Sequence, residues 1–148
     1  IPFKRITEIN KALEEAVKEI SPFYLEISGL GAFPSLKQVR VFWIGIGGEM
    51  DKLSKLQQNI DSTLAALGFA KENRPFVPHL TLARIREVAS LLERRSFGEL
   101  VGSTIFEDKY RVEVEAISLM KSQLTRAGAI YTCLSVVGLG HKESLKKF

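Results

Sequence analysis

The two residues best suited to chemistry, His79 and Thr81, lie in the run RPFVPHLTLARI, residues 74–85. Successive side chains of a strand point to opposite faces, so His79 and Thr81 share one face while Leu80 and Leu82 point to the other. We expect the two leucines to pack against a helix. The histidine and threonine either present an imidazole and a hydroxyl jointly to a ligand or are two polar residues on a solvated sheet face.

Phosphate chemistry is the reaction that these residue types fit. Imidazole titrates close to neutral pH, and a hydroxyl and guanidinium groups beside it can hold a phosphate while a proton is transferred. Three arginines lie near the histidine in the sequence, namely Arg74, Arg84 and Arg86. A lone histidine on a strand is in most proteins structural, and these neighbours make a catalytic role an equally good interpretation.

Other catalytic and binding motifs are missing from the sequence. One cysteine and two distant histidines cannot form a structural zinc site. No phosphate-binding glycine loop opens a helix, and no serine stands in a G-x-S-x-G context. The segments GLGAFP and GIGGEM are therefore interpreted as turns, and we expect neither a metal nor a cofactor.

The composition is that of a soluble globular protein. The chain has 148 residues, 45% of them hydrophobic and 26% charged, which fits a single domain over residues 1–148. A net charge of +4 mildly favours phosphate-bearing partners. The single Cys133 excludes an internal disulfide, and no apolar run is long enough to cross a bilayer. We therefore predict a cytoplasmic protein without a membrane partner.

The start of the chain is unusual. The first residue is Ile1, and a helical pattern begins at once without a preceding strand or cap. An initiator methionine is rarely removed before a bulky isoleucine. We therefore expect this sequence to lack its natural N-terminus.

Two helices and three strands are predicted in the first half. Apolar residues at helical spacing predict a helix around Ile6–Ile20 and a second one from Met50 to a point near Gly68. The segments FYLEI, VRVFWIGIG and HLTLARI predict strands, and SGLGAFPSLKQ predicts a loop between the first two. Trp43, in the most apolar of these strands, is assigned to the core.

The second half predicts a short helix and a hairpin. Val88, Leu91 and Leu92 indicate the helix. The alternation that begins at Tyr110 changes phase at Ile117, which predicts a bulge or a strand that switches faces. The order helix, two strands, helix, strand, short helix, hairpin predicts an α+β fold with largely antiparallel sheets and packed helices.

Three segments carry a resemblance to a known family. PFVPHLTLAR resembles the second signature of the two-histidine (2H) phosphoesterases, specifically the RNA 2′,3′-cyclic phosphodiesterases, also called 2′-5′ RNA ligases. GLGAFPSLKQVRVFWIGI resembles the family's central loop and strand, and LMKSQLTRAGAIYTCL resembles its closing hairpin. The three segments occur in the family's order over nearly the whole chain. The resemblance implies a pseudo-symmetric two-lobed fold in which two H-x-T motifs face each other across a basic cleft.

Only the second H-x-T motif is present in this sequence. The other histidine, His141, has no threonine two residues later and lies in the tail. In the family, the first motif lies on a strand before a helix like the one that begins near Phe3. The resemblance therefore implies that this strand and the first histidine lie upstream of Ile1.

The resemblance also implies a reaction and its residues. A 2′,3′-cyclic phosphate on RNA is opened to a 2′-phosphate without a metal, and 2′-5′ ligation is a further activity. His79 is one member of the acid–base pair, and Thr81 donates a hydrogen bond to phosphate. Arg84 matches an arginine that reaches the phosphate. Strict alternation places it on the face of Leu80 and Leu82, so this role requires a bend after Thr81 or a long reach. The implied partners are RNA ends or cyclic nucleotides, and we expect a monomer.

Two aromatic residues and two other function classes remain open. Phe76 either touches a base at the cleft or packs in the core. Tyr131 either directs its hydroxyl into the cleft or packs across the hairpin. The chain is alternatively a non-catalytic RNA- or nucleotide-binding module that uses the same cleft, or a structural domain in which His79 is incidental.

Overall fold

The computed structural model describes residues 2–126 and 128–140. They form three helices and six strands, and three of the strand pairings are antiparallel, so the predicted α+β class is confirmed. The elements are α1 (Phe3–Val17), β1 (Phe23–Phe33), β2 (Val41–Gly48), α2 (Met50–Ala66), β3 (His79–Arg84), α3 (Leu91–Ser103), β4 (Tyr110–Val114), β5 (Ala116–Thr125) and β6 (Gly128–Gly138).

The chain divides into two compact units, each made of segments that are distant in sequence. The first contains the residues up to 23, residues 49–74 and the described residues from 113 onward. The second contains residues 24–48 and 75–112.

The first unit consists of α1, α2 and the β5–β6 hairpin. The apolar stripe of α1 is buried, with Ile9, Leu13, Ala16 and Val17 in the core. The two helices are also joined by hydrogen bonds, because the Asn59 amide donates to the Ala16 carbonyl at 3.0 Å and Arg5 donates to the Leu67 carbonyl at 3.0 Å. The helices and the hairpin agree with the sequence prediction.

The second unit contains a four-stranded sheet and α3. The strand order is β3-β2-β1-β4, so β3 and β4 are its outer strands. The loop predicted for SGLGAF is wrong, because β1 continues to Phe33. It does so through a bulge at Gly29, whose φ of +72° is a conformation that suits glycine.

Two further predictions require correction. The third helix begins at Leu91, after the exposed Val88, and is longer than predicted. It is capped by Ser90, whose hydroxyl accepts from the Glu93 N–H at 3.2 Å while the Glu93 carboxylate accepts from the Ser90 N–H at 2.7 Å. The single strand predicted across the change of phase is two strands, because it is interrupted at Glu115 between β4 and β5, which lie in different sheets. The predicted bulge is present, because the register of β5 and β6 shifts between Leu119 and Met120. None of the described helices is both long and apolar enough to cross a membrane.

Candidate active site

The orientation of His79 leaves one ring nitrogen available. The residue is half-buried at the start of β3, and its Nδ1 lies 2.6 Å from the Val77 carbonyl oxygen. A carbonyl oxygen can only accept a hydrogen bond, so Nδ1 must carry the proton. The neutral ring therefore has an unprotonated Nε2, which can accept a proton, and the charged ring can donate one from the same atom.

The register of β2 and β3 places His79 and Thr81 on one face. His79 is opposite Gly45, and Thr81 is opposite Trp43. Directly paired residues of an antiparallel sheet project on the same side. The two side chains therefore share a face, as alternation predicts, and the position across from the imidazole carries no side chain.

A bulge brings Arg84 to the same face. Trp43 pairs with Thr81, but Phe42 pairs with Ala83, so Leu82 has no partner on β2. The extra residue shifts the alternation by one position, and Arg84 lies opposite Val41, on the side of Trp43. Strict alternation therefore fails after Thr81, and the irregularity that a phosphate role for Arg84 requires is present at Leu82.

The two sides of this sheet have different residues, and we name them separately. The His79 face consists of Glu26, Ser28, Gly31, Phe33, Val41, Trp43, Gly45, Gly47, His79, Thr81 and Arg84. Over β1, β2 and β3, the helix face consists of Leu25, Ile27, Leu30, Ala32, Phe42, Ile44, Ile46, Gly48, Leu80 and Ala83. The helix α3 reaches the latter through Phe97, whose ring meets that of Phe42 at 5.5 Å between centroids in a T-shaped contact.

The packing predicted for the leucines of β3 is wrong. Leu80 is 45% exposed and Leu82 is 53% exposed. Ile44, across from Leu80 on the inner strand β2, is buried. The apolar core of this sheet therefore lies under β2, and Leu82 is the unpaired residue of the bulge.

An aromatic cluster lies beside the imidazole. Phe33 meets the ring of His79 at 5.0 Å in a T-shaped contact, and Trp43 lies 6.2 Å from it. The assignment of Trp43 to the core is wrong, because the side chain is half-buried on the His79 face. Its indole lies over Gly31, where the Cβ of any other residue would overlap the ring.

The arginines near the histidine differ in their partners. Arg74 binds Glu72 through Nε at 3.1 Å and Nη2 at 2.8 Å. This side-chain hydrogen bond lowers the pKa of Glu72 to about 2. Among the residues that the structure describes, no ion pair engages the exposed Arg84. Arg84 therefore provides a positive charge on the His79 face, whereas the charge of Arg74 is balanced by its own neighbour.

The other predicted site residues are placed as follows. Phe76 is 46% exposed, so the core alternative for it is wrong. Tyr131 is 67% exposed on β6 of the first unit, opposite Ser122. The two alternatives for Tyr131, a hydroxyl directed into the cleft or packing across the hairpin, both stay predictions. His141 lies outside the described residues.

Arg94 is a structural residue that the sequence did not reveal. Its guanidinium is buried and donates to four backbone carbonyls, those of Arg86 at 2.9 Å, Ala89 at 3.1 Å, Glu87 at 3.1 Å and Val39 at 3.4 Å. Backbone acceptors replace the water that a buried cation loses. The side chain thus fixes the segment that follows β3. A charged residue on an amphipathic helix gives no sequence signal for this role.

The described part of the chain contains no cluster of side chains that could hold a metal ion. Over residues 2–126 and 128–140, no three His, Cys, Asp or Glu side chains lie close enough together to hold an ion.

The antiparallel strands and helices, with H-x-T on an outer strand, define a protein with the fold of the two-histidine phosphoesterases. The model of the 2′-5′ RNA ligase superfamily matches residues 2–126, and the chain belongs to this family.

Several curated proteins are similar to this chain. An RNA 2′,3′-cyclic phosphodiesterase of Aeropyrum pernix is 40% identical over 117 residues, which are 76% of this chain and 62% of the relative. Another, from Aquifex aeolicus, is 35% identical over 134 residues, or 90% of this chain and 69% of the relative. The chain therefore spans about two thirds of the length of these relatives.

Solved structures share the fold. LigT of E. coli complexed with 3′-AMP aligns with a TM-score of 0.69 at 22% identity, covering 94% of this chain and 71% of LigT. The protein TT0787 of Thermus thermophilus aligns with a TM-score of 0.67 at 22% identity, covering 94% of this chain and 72% of that protein.

Proposed function

We propose that this protein opens RNA 2′,3′-cyclic phosphates to 2′-phosphates. The observation that carries the proposal is the common face of His79, Thr81 and Arg84, with the histidine Nε2 left free by the Val77 carbonyl. The curated relatives named RNA 2′,3′-cyclic phosphodiesterase support it. Ligation of 2′-5′ ends, a cytoplasmic location, a monomeric state and a single domain over residues 1–148 belong to the same proposal.

The reaction needs two proton transfers at opposite ends of one phosphorus centre. A water oxygen bonds to phosphorus while a base takes its proton. The bond from phosphorus to the 3′ oxygen breaks, and an acid protonates that oxygen, which leaves the phosphate on the 2′ oxygen. The Nε2 atom of His79 can perform either transfer, because Nδ1 keeps its own proton throughout and donates it in the hydrogen bond to the Val77 carbonyl.

Two other residues of the His79 face, Thr81 and Arg84, bind the phosphate in this proposal. The hydroxyl of Thr81 donates a hydrogen bond to a non-bridging oxygen, and the guanidinium of Arg84 offsets the negative charge that develops there. Phe76, which is exposed in the same unit as His79, is assigned to the nucleoside. No residue of the described part needs a metal for these roles.

One observation favours the alternative of a nucleotide-binding module. His79 is the one histidine among residues 2–126 and 128–140, whereas the reaction needs an acid and a base. By resemblance to the family, we assign the second transfer to the histidine of another H-x-T motif, which is not among residues 2–126 and 128–140. Without that second histidine, the His79 face binds phosphate, but the cyclic phosphate is hydrolysed slowly.

The test is an assay of the longest form that the gene encodes, on an RNA ending in a 2′,3′-cyclic phosphate. We expect a 2′-phosphate product in the presence of EDTA, and a loss of roughly 10²-fold or more in turnover for His79→Ala. Loss of activity with EDTA, or near-normal turnover in the variant, contradicts the proposal. Phosphate-dependent nucleotide binding without turnover in the wild-type protein favours the binding module.

A further inference from the structure

The imidazole of His79 needs more than one contact to hold its plane. The hydrogen bond from Nδ1 to the Val77 carbonyl fixes one edge of the ring. The ring can still swing about that bond, and each swing moves Nε2. Proton transfer depends on the distance and angle at Nε2, so the second contact decides how well that atom is aimed.

Phe33 provides that second contact. Its ring plane lies at 85° to the imidazole, with 5.0 Å between the centroids. Such edge-to-face pairs of rings are favourable at about 4.5–7 Å and are directional. Phe33 reaches the imidazole from β1, two strands away from β3, so its position does not depend on the outer strand.

Trp43 packs against Phe33 and also lies near the imidazole. The two rings lie 5.2 Å apart at 41°, and the indole packs over Gly31. The indole Nε1 is buried and has no acceptor among the described residues. A buried N–H without a partner destabilises a fold and calls for an explanation. The explanation we adopt is that the indole is placed for its ring contacts.

We propose that Phe33, supported by Trp43, is a positioning residue that fixes the ring plane of His79. The catalytic consequence rests on the proposed function. Loss of the Phe33 ring leaves the phosphate-binding Thr81 and Arg84 unchanged but lets the imidazole rotate. The expected effect is a roughly 10-fold or larger fall in kcat with KM within about 2-fold, because the alignment of Nε2 is altered and substrate binding is not.

The sheet offers a matched control. Phe42 makes the same kind of T-shaped contact on the helix face, with Phe97 at 5.5 Å and 88°. Phe42→Leu removes a comparable ring from the same sheet without touching His79. Phe33→Leu and Phe42→Leu are therefore compared at a temperature where both are folded, and Phe33→Tyr, which keeps the ring, should restore at least half of the lost kcat.

A second readout does not depend on turnover. Nitrogen NMR of the imidazoles reports which ring nitrogen carries the proton, and His141→Gln assigns the two histidines. We expect the Nδ1–H form of His79 in the wild type and in both variants, because the bond to the Val77 carbonyl remains, and broadened His79 ring signals in Phe33→Leu alone, because there the ring swings about that bond.

The outcomes separate the two claims. An inactive wild-type protein contradicts the proposed function, and the NMR comparison then still tests the positioning of the ring. An active protein in which Phe33→Leu and Phe42→Leu have equal kcat and identical His79 spectra overturns the positioning role. A fall in kcat that Phe33→Tyr does not restore also overturns it, because the ring is then not the cause.

Discussion

Within the four-stranded sheet, the strands β1, β2 and β3 contribute residues to both faces, and the two faces have different properties. The helix face carries Ile44, which is buried, and Phe42, which meets Phe97. The His79 face contains three of the four glycines at paired positions of β1 and β2, namely Gly31, Gly45 and Gly47. Each face also has a T-shaped ring contact, which on one side joins a helix and on the other side holds a histidine.

The comparison indicates that the helix face mainly contributes to folding stability, whereas the His79 face carries the residues of the proposed reaction. Large side chains on the helix face bury apolar area, which is the main source of folding free energy. Glycines on the His79 face leave space beside the imidazole and give the indole a place to lie. Changes on the helix face should therefore lower stability first, and changes on the His79 face should lower activity first.

The largest expected effect comes from exchanging two neighbouring residues of β3. In the double variant Ala83→Arg with Arg84→Ala, the guanidinium moves to the helix face although the net charge is unchanged. We expect kcat/KM to fall roughly 10²-fold, as in Arg84→Ala alone, because one group that stabilises developing charge is lost. The measurement is steady-state kinetics on the cyclic-phosphate RNA.

Leu82→Ala is the control for the exchange, because it keeps the unpaired residue of the bulge and removes only an exposed side chain. Its activity should stay within about 2-fold of the wild type. Under strict alternation the exchanged arginine would share the side of His79. Near wild-type activity in the double variant would therefore mean that β3 has no bulge at Leu82.

A change on the helix face should have the opposite effect. Phe42→Ala removes the ring that contacts Phe97, and we expect the free energy of unfolding to fall by about 3 kcal/mol. The His79 face is unaltered, so kcat/KM should change less than about 2-fold while the protein is folded. Urea unfolding and kinetics on the same sample test both parts, and an equal loss in both would erase the distinction between the faces.

Gly31 tests the space that the His79 face needs. In Gly31→Ala the new Cβ overlaps the Trp43 indole, and overpacking of this kind costs about 1–3 kcal/mol. The displaced indole should also reduce kcat. Gly47→Ala is the matched control, because its Cβ meets only the Glu26 carbonyl oxygen, at 3.9 Å, and it should leave both quantities nearly unchanged. Equal stability of the two variants by thermal unfolding would show that the indole does not lie over Gly31.

The smallest effect is expected for the exposed hydroxyl of Thr81. Thr81→Val keeps the shape of the side chain and removes one hydrogen bond to phosphate, so kcat/KM should fall about 10-fold, equivalent to about 1.4 kcal/mol. Stability should change by less than about 0.5 kcal/mol, because the residue is exposed. A larger loss of stability than of activity would assign Thr81 to the structure of β3.

The elements were predictable from the sequence because their signals are local. The periodicity around Ile9 and Leu13 predicted α1, and the alternation of HLTLARI predicted β3 and the common face of His79 and Thr81. The tertiary placement of α3 and its length were not predictable, because its buried residues include Arg94 and Gly98, which carry no apolar signal.

The parts that the sequence could not predict depend on partners across the sheet. The bulge at Leu82 is a property of the register between β2 and β3, and the residues LTLAR alone do not mark it. The phosphate role of Arg84 required either a bend after Thr81 or a long reach, and the sequence could not decide between them. Trp43 looked like a core residue because its strand is apolar on both sides. Its actual position depends on Gly31 of β1, which the sequence alone placed in a loop.

The bulge at Leu82 also bears on how the protein avoids pairing with other chains. As an outer strand of its sheet, β3 has a row of backbone N–H and C=O groups along one edge, and such an edge is a template for intermolecular strand addition. The extra residue bends the edge and breaks the regular spacing of these groups after Thr81. An added strand would find regular geometry over only a few residues, which is too short for a stable ladder. The same irregularity that orients Arg84 therefore protects solubility at the edge where the histidine must stay accessible.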